Sequence, residues 1–322
     1  MLDRREFLAL GFAAAPALVA ATPRRATTTR PAALALATAD AEAHVAVVSL
    51  SSMRVVQRLA TVGDPRSIES APGGRAVLAH AASGAITLIE GRPLRVRRVL
   101  RGFGAPRYTA IRPGGKLAYV SDSGHGEIAV VDLVAGRVVR RLAVGAGARH
   151  LTLHPDGRTL WVVLGSSAAA IAVLDVREPE RPRVIARVRP PFLAHDAGFS
   201  PSGLRVWVTA GRESRIAVYD AGRRTPVRVL RADVAPQHVA FGGGVAYVVS
   251  GEAGTLAVHA LADAALRRRT RIPAGSYNVQ RTGGRVVTPS LATGRLTVLD
   301  RHGVVAGQAR VAASAHDACI VS

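Results

Sequence analysis

Seven segments of this 322-residue chain share one local plan, and their spacing leaves little choice of fold. Each has a two-residue lead, an alternating apolar pair and then a Pro/Gly turn. They begin at Ser67, Tyr108, His150, Asp196, His238, Asn278 and Asp317, in steps of 41, 42, 46, 42, 40 and 39 residues. Five residues into the first six comes the turn, at Pro72, Pro113, Pro155, Pro201, Gly243 and Gly283. A period near 40 residues with four short strands per unit marks a propeller blade. The seventh copy supplies one strand only, so its three companions are expected from the N-terminal side. The expected fold is therefore all-β: a seven-bladed β-propeller over residues 33–322, its ring closed by the C-terminal strand completing the N-terminal blade.

The third blade shows the strand plan best. Thr109-Ala110-Ile111 reads as the inner strand, Leu117-Ala118-Tyr119-Val120 as the second, Glu127–Asp132 as the third and residues 138–144 as the outer one. Alternation and β-branched content argue for strands, and Gly/Pro/Asp clusters for the turns between them. The first blade would use residues 33–39, 44–50 and 55–62, with Ala318–Val321 as the closing strand. Asp132, Asp175, Asp220 and Asp300 end their third strands, where a short carboxylate caps a turn. The sixth blade is the loosest copy, because its third strand ends in His259-Ala260 and lacks this aspartate.

Aromatic residues make up 4% of the chain, so Val, Ala and Leu must fill the core. The net charge is +21, and of the 43 cationic residues only Lys116 is a lysine. Such a charge would draw anionic polymers to the surface. No nucleic-acid-binding motif accompanies it, so a nucleic acid is not the expected partner. Cys319 is the only cysteine, so no internal disulfide can form. A monomer held together by sheet packing is expected.

The N-terminus reads as an address. Asp3-Arg4-Arg5-Glu6-Phe7-Leu8 resembles the twin-arginine export motif, with Asp3 in place of the usual Ser or Thr. A weakly apolar run over residues 9–21 follows, too short to span a bilayer comfortably. Val19-Ala20-Ala21 offers small residues for signal-peptidase cleavage, and Arg24 and Arg25 come next. The resemblance implies a signal peptide over residues 1–21, a Thr/Arg/Pro linker over 22–32, and export to the periplasm, cell envelope or exterior. An uncleaved anchor and an amphipathic helix of the mature fold are the alternatives.

The repeat units resemble YVTN-type β-propeller repeats, as in YncE-like exported proteins. The matching residues are Tyr119-Val120-Ser121-Asp122, Trp207-Val208-Thr209-Ala210, the turn His154-Pro155-Asp156-Gly157 and the third-strand ending Ala129-Val130-Val131-Asp132. The resemblance covers roughly residues 33–322 and is specific for fold. Related seven-bladed propellers include lactonases, the haem d1 domain of nitrite reductases and plain binding modules.

Inner strands line a propeller's central channel, and alternation decides which side chains point to the axis. Leu151 and Leu153 face the blade core in the fourth blade, which turns His150 and Thr152 to the channel. The same spacing gives an axial ring of Ser67, Tyr108, His150, Asp196, His238, Asn278 and Asp317. A second ring just outside it holds Arg66, Arg107, Arg149, His195, Gln237, Tyr277 and His316. Asn278 is the chain's only asparagine and falls on the ring. His150, Asp196 and His238 stand on neighbouring blades, and two His with one Asp match many divalent-metal sites. The same trio could work as an acid–base pair, with Asp196 orienting an imidazole. Arg66, Arg107 and Arg149 would make one side of the funnel attractive to a carboxylate or phosphate. Glu69 is a single carboxylate deeper in the channel.

Polar residues at a funnel mouth can also merely bond water or brace adjacent blades. The expected function is thus an exported ligand-binding or protein-interaction module that takes a small or anionic ligand, or a protein segment, at its funnel. The rival is an enzyme: a lactonase-like hydrolase, or a protein carrying a divalent metal or, less readily, haem d1. No nucleophile elbow, P-loop, Cys/His zinc spacing or dinucleotide fingerprint is present, and Asp122, Ser123 and His125 are too close in sequence to form a triad.

Overall fold

In a computed structural model, residues 33–321 are described. The expected signal peptide and the whole of the expected linker lie outside them. The described chain forms seven four-stranded antiparallel sheets. In six of them four consecutive strands make one blade. In the remaining sheet Ala318–Val321 pairs with Leu34–Ala39, followed by His44–Ser49 and Arg54–Ala60. The register runs Leu34↔Val321, Ala35↔Ile320, Leu36↔Cys319 and Ala37↔Ala318. Each inner strand touches the inner strand of the next blade, from the second blade round to the first and back to the second. The seven-bladed propeller and its closure by the C-terminal strand are both present.

What holds the ring is visible in where the apolar side chains go. They gather into seven clusters, one at each interface between neighbouring blades. The second and third strands are buried on both faces, because each is sandwiched between two blades, and they read as runs of Val, Ile, Leu and Ala. Tyr119, Trp161, Trp207 and Tyr247 occupy equivalent places in the second strands of blades 3 to 6 and are fully buried. The hydroxyls of Tyr119 and Tyr247 donate to the carbonyls of Val176 (3.4 Å) and Arg301 (2.6 Å), each in a turn of the following blade.

The outer strands are the exposed ones, and they carry much of the arginine. Thr225–Arg231 and Leu266–Arg271 are almost wholly exposed. A charged outer edge discourages pairing with another chain's strand. In every blade the pairing of third and outer strands shifts register at one point, a bulge that increases twist. The turn aspartates act as caps: Asp132 accepts from the amides of Val134 and Ala135 at 2.8 Å, and Asp300 from those of His302 and Val304. In the sixth blade Asp263, three residues past the strand end at Ala260, does this, accepting from the Ala265 amide at 3.0 Å. The least regular blade is the seventh, whose inner strand is only Gln280–Thr282, so Asn278 lies in the coil before it.

Candidate functional site: the central funnel

A second set of bulges shapes the funnel. The pairing of inner and second strands shifts register between Pro65 and Ser67, Pro106 and Thr109, Ala148 and Leu151, and Pro236 and Val239. These shifts span the positions of the two sequence-derived rings. A bulge breaks the two-residue alternation, so consecutive side chains can share one face. Strict alternation would keep the rings apart; of the outer ring, His195 comes against the axial residue His150, at 4.5 Å between ring centres.

All seven axial residues, Ser67, Tyr108, His150, Asp196, His238, Asn278 and Asp317, line one cavity of about 180 Å³, with Glu69 deeper along it. They divide into two groups. Asp317, Asp196, Asn278 and Ser67 brace neighbouring blades. Asp317 accepts from Ser67 Oγ and the Ile68 amide, both at 3.0 Å, across the closing interface. Asp196 accepts from the Val239 amide at 3.3 Å, the equivalent contact between blades 5 and 6. Asn278 Nδ2 donates to the His316 carbonyl at 2.9 Å. His316 is buried with its Nδ1 donating to the Arg66 carbonyl at 2.8 Å, and burial keeps its imidazole well below the usual range.

The other group is aromatic. The His150 ring lies 4.2 Å from that of Tyr108, 4.5 Å from that of His195 and 4.7 Å from that of His238, centre to centre. The Tyr108 hydroxyl reaches His238 Nε2 at 3.4 Å. That contact joins blades 3 and 6, on opposite sides of the ring, so these side chains meet across the axis. His238 Nδ1 faces Asp196 at 3.3 Å, and His195 Nδ1 donates to the Ser166 carbonyl at 3.0 Å.

The grouping differs from the one expected from spacing. The three residues whose candidate ligand atoms all lie within 4.8 Å of one another are His150, His195 and His238. Asp196 stands behind His238 as its carboxylate partner, while His195, assigned to the outer ring by alternation, joins the cluster. Gly211, at φ +71°, makes that position available: a Cβ there would lie 2.5 Å from His195 Cβ. His150 is 1% exposed, and neither of its ring nitrogens has a hydrogen-bond partner among the described residues. The His195 backbone attracts it weakly without hydrogen-bond geometry. Burial, then the neighbouring His195 and His238, hold His150 well below the usual imidazole range. Burial also lowers His195, to about 4.

The arginines do not form a uniform trio. Arg66 pairs with Asp40 at 3.2 Å. Arg107 and Arg149 have no carboxylate partner among the described residues, and the Nε of each is buried without a hydrogen bond. Burial, with the charges of Arg149 and Arg66, lowers Arg107 below the usual guanidinium range. The Arg149 guanidinium lies 6.0 Å from the Tyr108 ring centre, which places it beside the histidine cluster.

Glu69 is not isolated electrostatically. Burial, and then the charge of Asp317, push its carboxyl up to about 8; Asp317 itself is raised to about 6 by burial. Gln280 Nε2 donates to Glu69 at 3.3 Å. Outside the funnel, Asp122, His125 and Glu127 also cluster. There the Asp122 carboxylate is taken by the Gly104 and Ala105 amides at 2.8 and 2.7 Å, and Glu127 by Arg141.

No protein-family model and no curated protein matches the chain. Solved structures do. One is Kuenenia stuttgartiensis hydrazine synthase, with a TM-score of 0.72 and 18% identity over 82% of this chain and 91% of that one. Another is a functionally unknown protein from Desulfotomaculum acetoxidans DSM 771, with a TM-score of 0.78 and 12% identity over 89% of this chain and 98% of that one. At these identities the likeness is one of fold.

Proposed function

We propose that this protein is an exported, monomeric binding module of the YncE-like type whose funnel takes a small anionic ligand. The observation behind this reading is the Arg107–Arg149 pair. Two half-buried guanidinium groups sit close enough for the charge of Arg149 to add to burial in lowering Arg107, and neither is in an ion pair among the described residues; Asp64 offsets the repulsion at Arg107 only in part. Like charges gathered without a counter-charge are costly unless an anion completes the site. A carboxylate or phosphate suits the planar donor fork of arginine. Arg66 is the lesser contributor, since Asp40 already neutralises it.

The test is calorimetric titration with citrate and with inorganic phosphate at low ionic strength. Arg107→Ala and Arg149→Ala should each weaken the better of the two by about tenfold, in line with the loss of a charge-assisted hydrogen bond. Arg66→Ala should matter less, and added salt should weaken binding by the wild type. Equal affinity in the wild type and the Arg107→Ala/Arg149→Ala double variant would remove this reading.

The export half of the proposal rests on Arg4-Arg5 and the apolar run after them. Replacing both arginines by lysine should leave the protein in the cytoplasm, as fractionation would register; unchanged export would point to another route.

A further inference from the structure

From the cluster of His150, His195 and His238, we infer a binding site for a divalent transition-metal ion of the zinc class at the funnel. It goes beyond the anion reading and uses different side chains.

Three observations carry it. The first is proximity: one candidate ligand atom from each histidine lies within 4.8 Å of the other two. A tetrahedral zinc site with Zn–N of about 2.0–2.1 Å places its nitrogens roughly 3.4 Å apart. The pairs must therefore close by at most about 1.4 Å, a distance within reach of side-chain rotation.

The second is that His150 is almost wholly buried with both ring nitrogens unpartnered. Buried polar groups are nearly always satisfied, and an unsatisfied one calls for a partner that the protein itself does not supply. A cation between the three rings would be the partner of one of its two nitrogens.

The third is the support behind the other two rings. His195 Nδ1 donates to the Ser166 carbonyl, which fixes its tautomer and leaves Nε2 as the lone-pair donor. Asp196 stands at His238 Nδ1, leaving Nε2 on the side where Tyr108 now lies. Metal-binding histidines characteristically donate their second N–H to a carbonyl or carboxylate in this way.

An all-imidazole set selects zinc, copper, nickel or cobalt over magnesium or calcium, which prefer oxygen. Three protein ligands leave a fourth position for water or an incoming ligand. The positive Arg149 opposes a dication here, and the carboxylate of Asp196 offsets it. Tyr108, packed against His150 and His238, would have to give up its contact with His238 Nε2.

The experiment uses the full chain, freed of metal with a chelator and titrated with Co²⁺ and Zn²⁺ alone, with no anionic ligand present. We expect one tightly bound ion per chain, a visible cobalt band characteristic of tetrahedral nitrogen coordination, and displacement of cobalt by zinc. His150→Ala should abolish the band. Asp196→Asn should weaken binding by about 10–100-fold, the usual effect of losing a partner behind a ligand. His259→Ala removes a buried histidine outside the cluster and should leave binding unchanged. Because His150→Ala could itself unfold the chain, circular dichroism and His195→Ala, at the cluster's more exposed ring, serve as the second check. No stoichiometric binding, or binding of wild-type strength in a folded His150→Ala or His195→Ala variant, would overturn the inference. Neither outcome depends on whether citrate or phosphate binds.

Discussion

A chain stopped after Asp317 should lose its cooperative fold. The missing strand fills two interfaces at once. Ile320 packs in the cluster between blades 7 and 1, while Cys319 and Val321 pack between blades 1 and 2. All four residues of Ala318–Val321 are buried. Burying a Val or Ile side chain contributes about 1.5–3 kcal/mol. With the lost ladder hydrogen bonds, the truncation should cost on the order of 5 kcal/mol or more, comparable with the whole stability of an ordinary domain. It would also bare Leu34–Ala39 as an open edge, an invitation to aggregate. The milder Ile320→Ala keeps the strand and should cost about 2–4 kcal/mol through the cavity it leaves. Denaturant unfolding and protease resistance would measure both. A truncated chain with wild-type midpoints would mean that the seventh interface contributes nothing to closure.

The second large effect is one of pH, and it belongs to Glu69. Its carboxyl titrates near 8 in the folded protein, above its ordinary value of 4.5. Between those values the native state holds a proton that the unfolded state has released, so this group's contribution makes stability fall as pH rises. Asp317, raised to about 6, acts in the same direction but is finished by neutral pH. The lowered histidines, His80, His150, His195, His259 and His316, work the other way: stability rises as pH climbs towards 6.5. The opposing contributions overlap below pH 6.5, and above it Glu69 is left to dominate. From pH 6.5 to 8 the metal-free protein should lose about 2 kcal/mol, the worth of about 1.5 pH units of one proton. Glu69→Gln should flatten that decline and be the more stable form at pH 8. Parallel pH profiles for the two proteins would show that Glu69 ionises normally in the fold.

The ring fold was legible because the repeat is long-range periodic information written in local residues. Each blade carries its own turn prolines, glycines and third-strand aspartate. The closing strand could be found by counting, since a seventh copy with one strand has only one place to go. The axial positions were legible for the same reason: constant spacing from Ser67 to Asp317 places all seven around one cavity.

The grouping within the funnel was not legible. Alternation sends His195 away from the axis; it lies just before the strand Asp196–Phe199, and the space left at Gly211 lets its ring come against His150. Arg66 looks equivalent to Arg107 and Arg149 until Asp40, from the neighbouring blade, is seen beside it. Asp196 and Asp317 read as funnel residues open to a ligand until their contacts with Val239 and Ile68 across blade interfaces are known.

The sequence by itself therefore determined the number of blades, the closing strand and which residues face the channel, because those follow from period and alternation. Tertiary structure decided which polar groups are consumed as braces and which remain unpartnered, because hydrogen bonds between blades join residues as distant in sequence as Arg66 and Asp40, 26 positions apart, or Ser67 and Asp317, 250 apart.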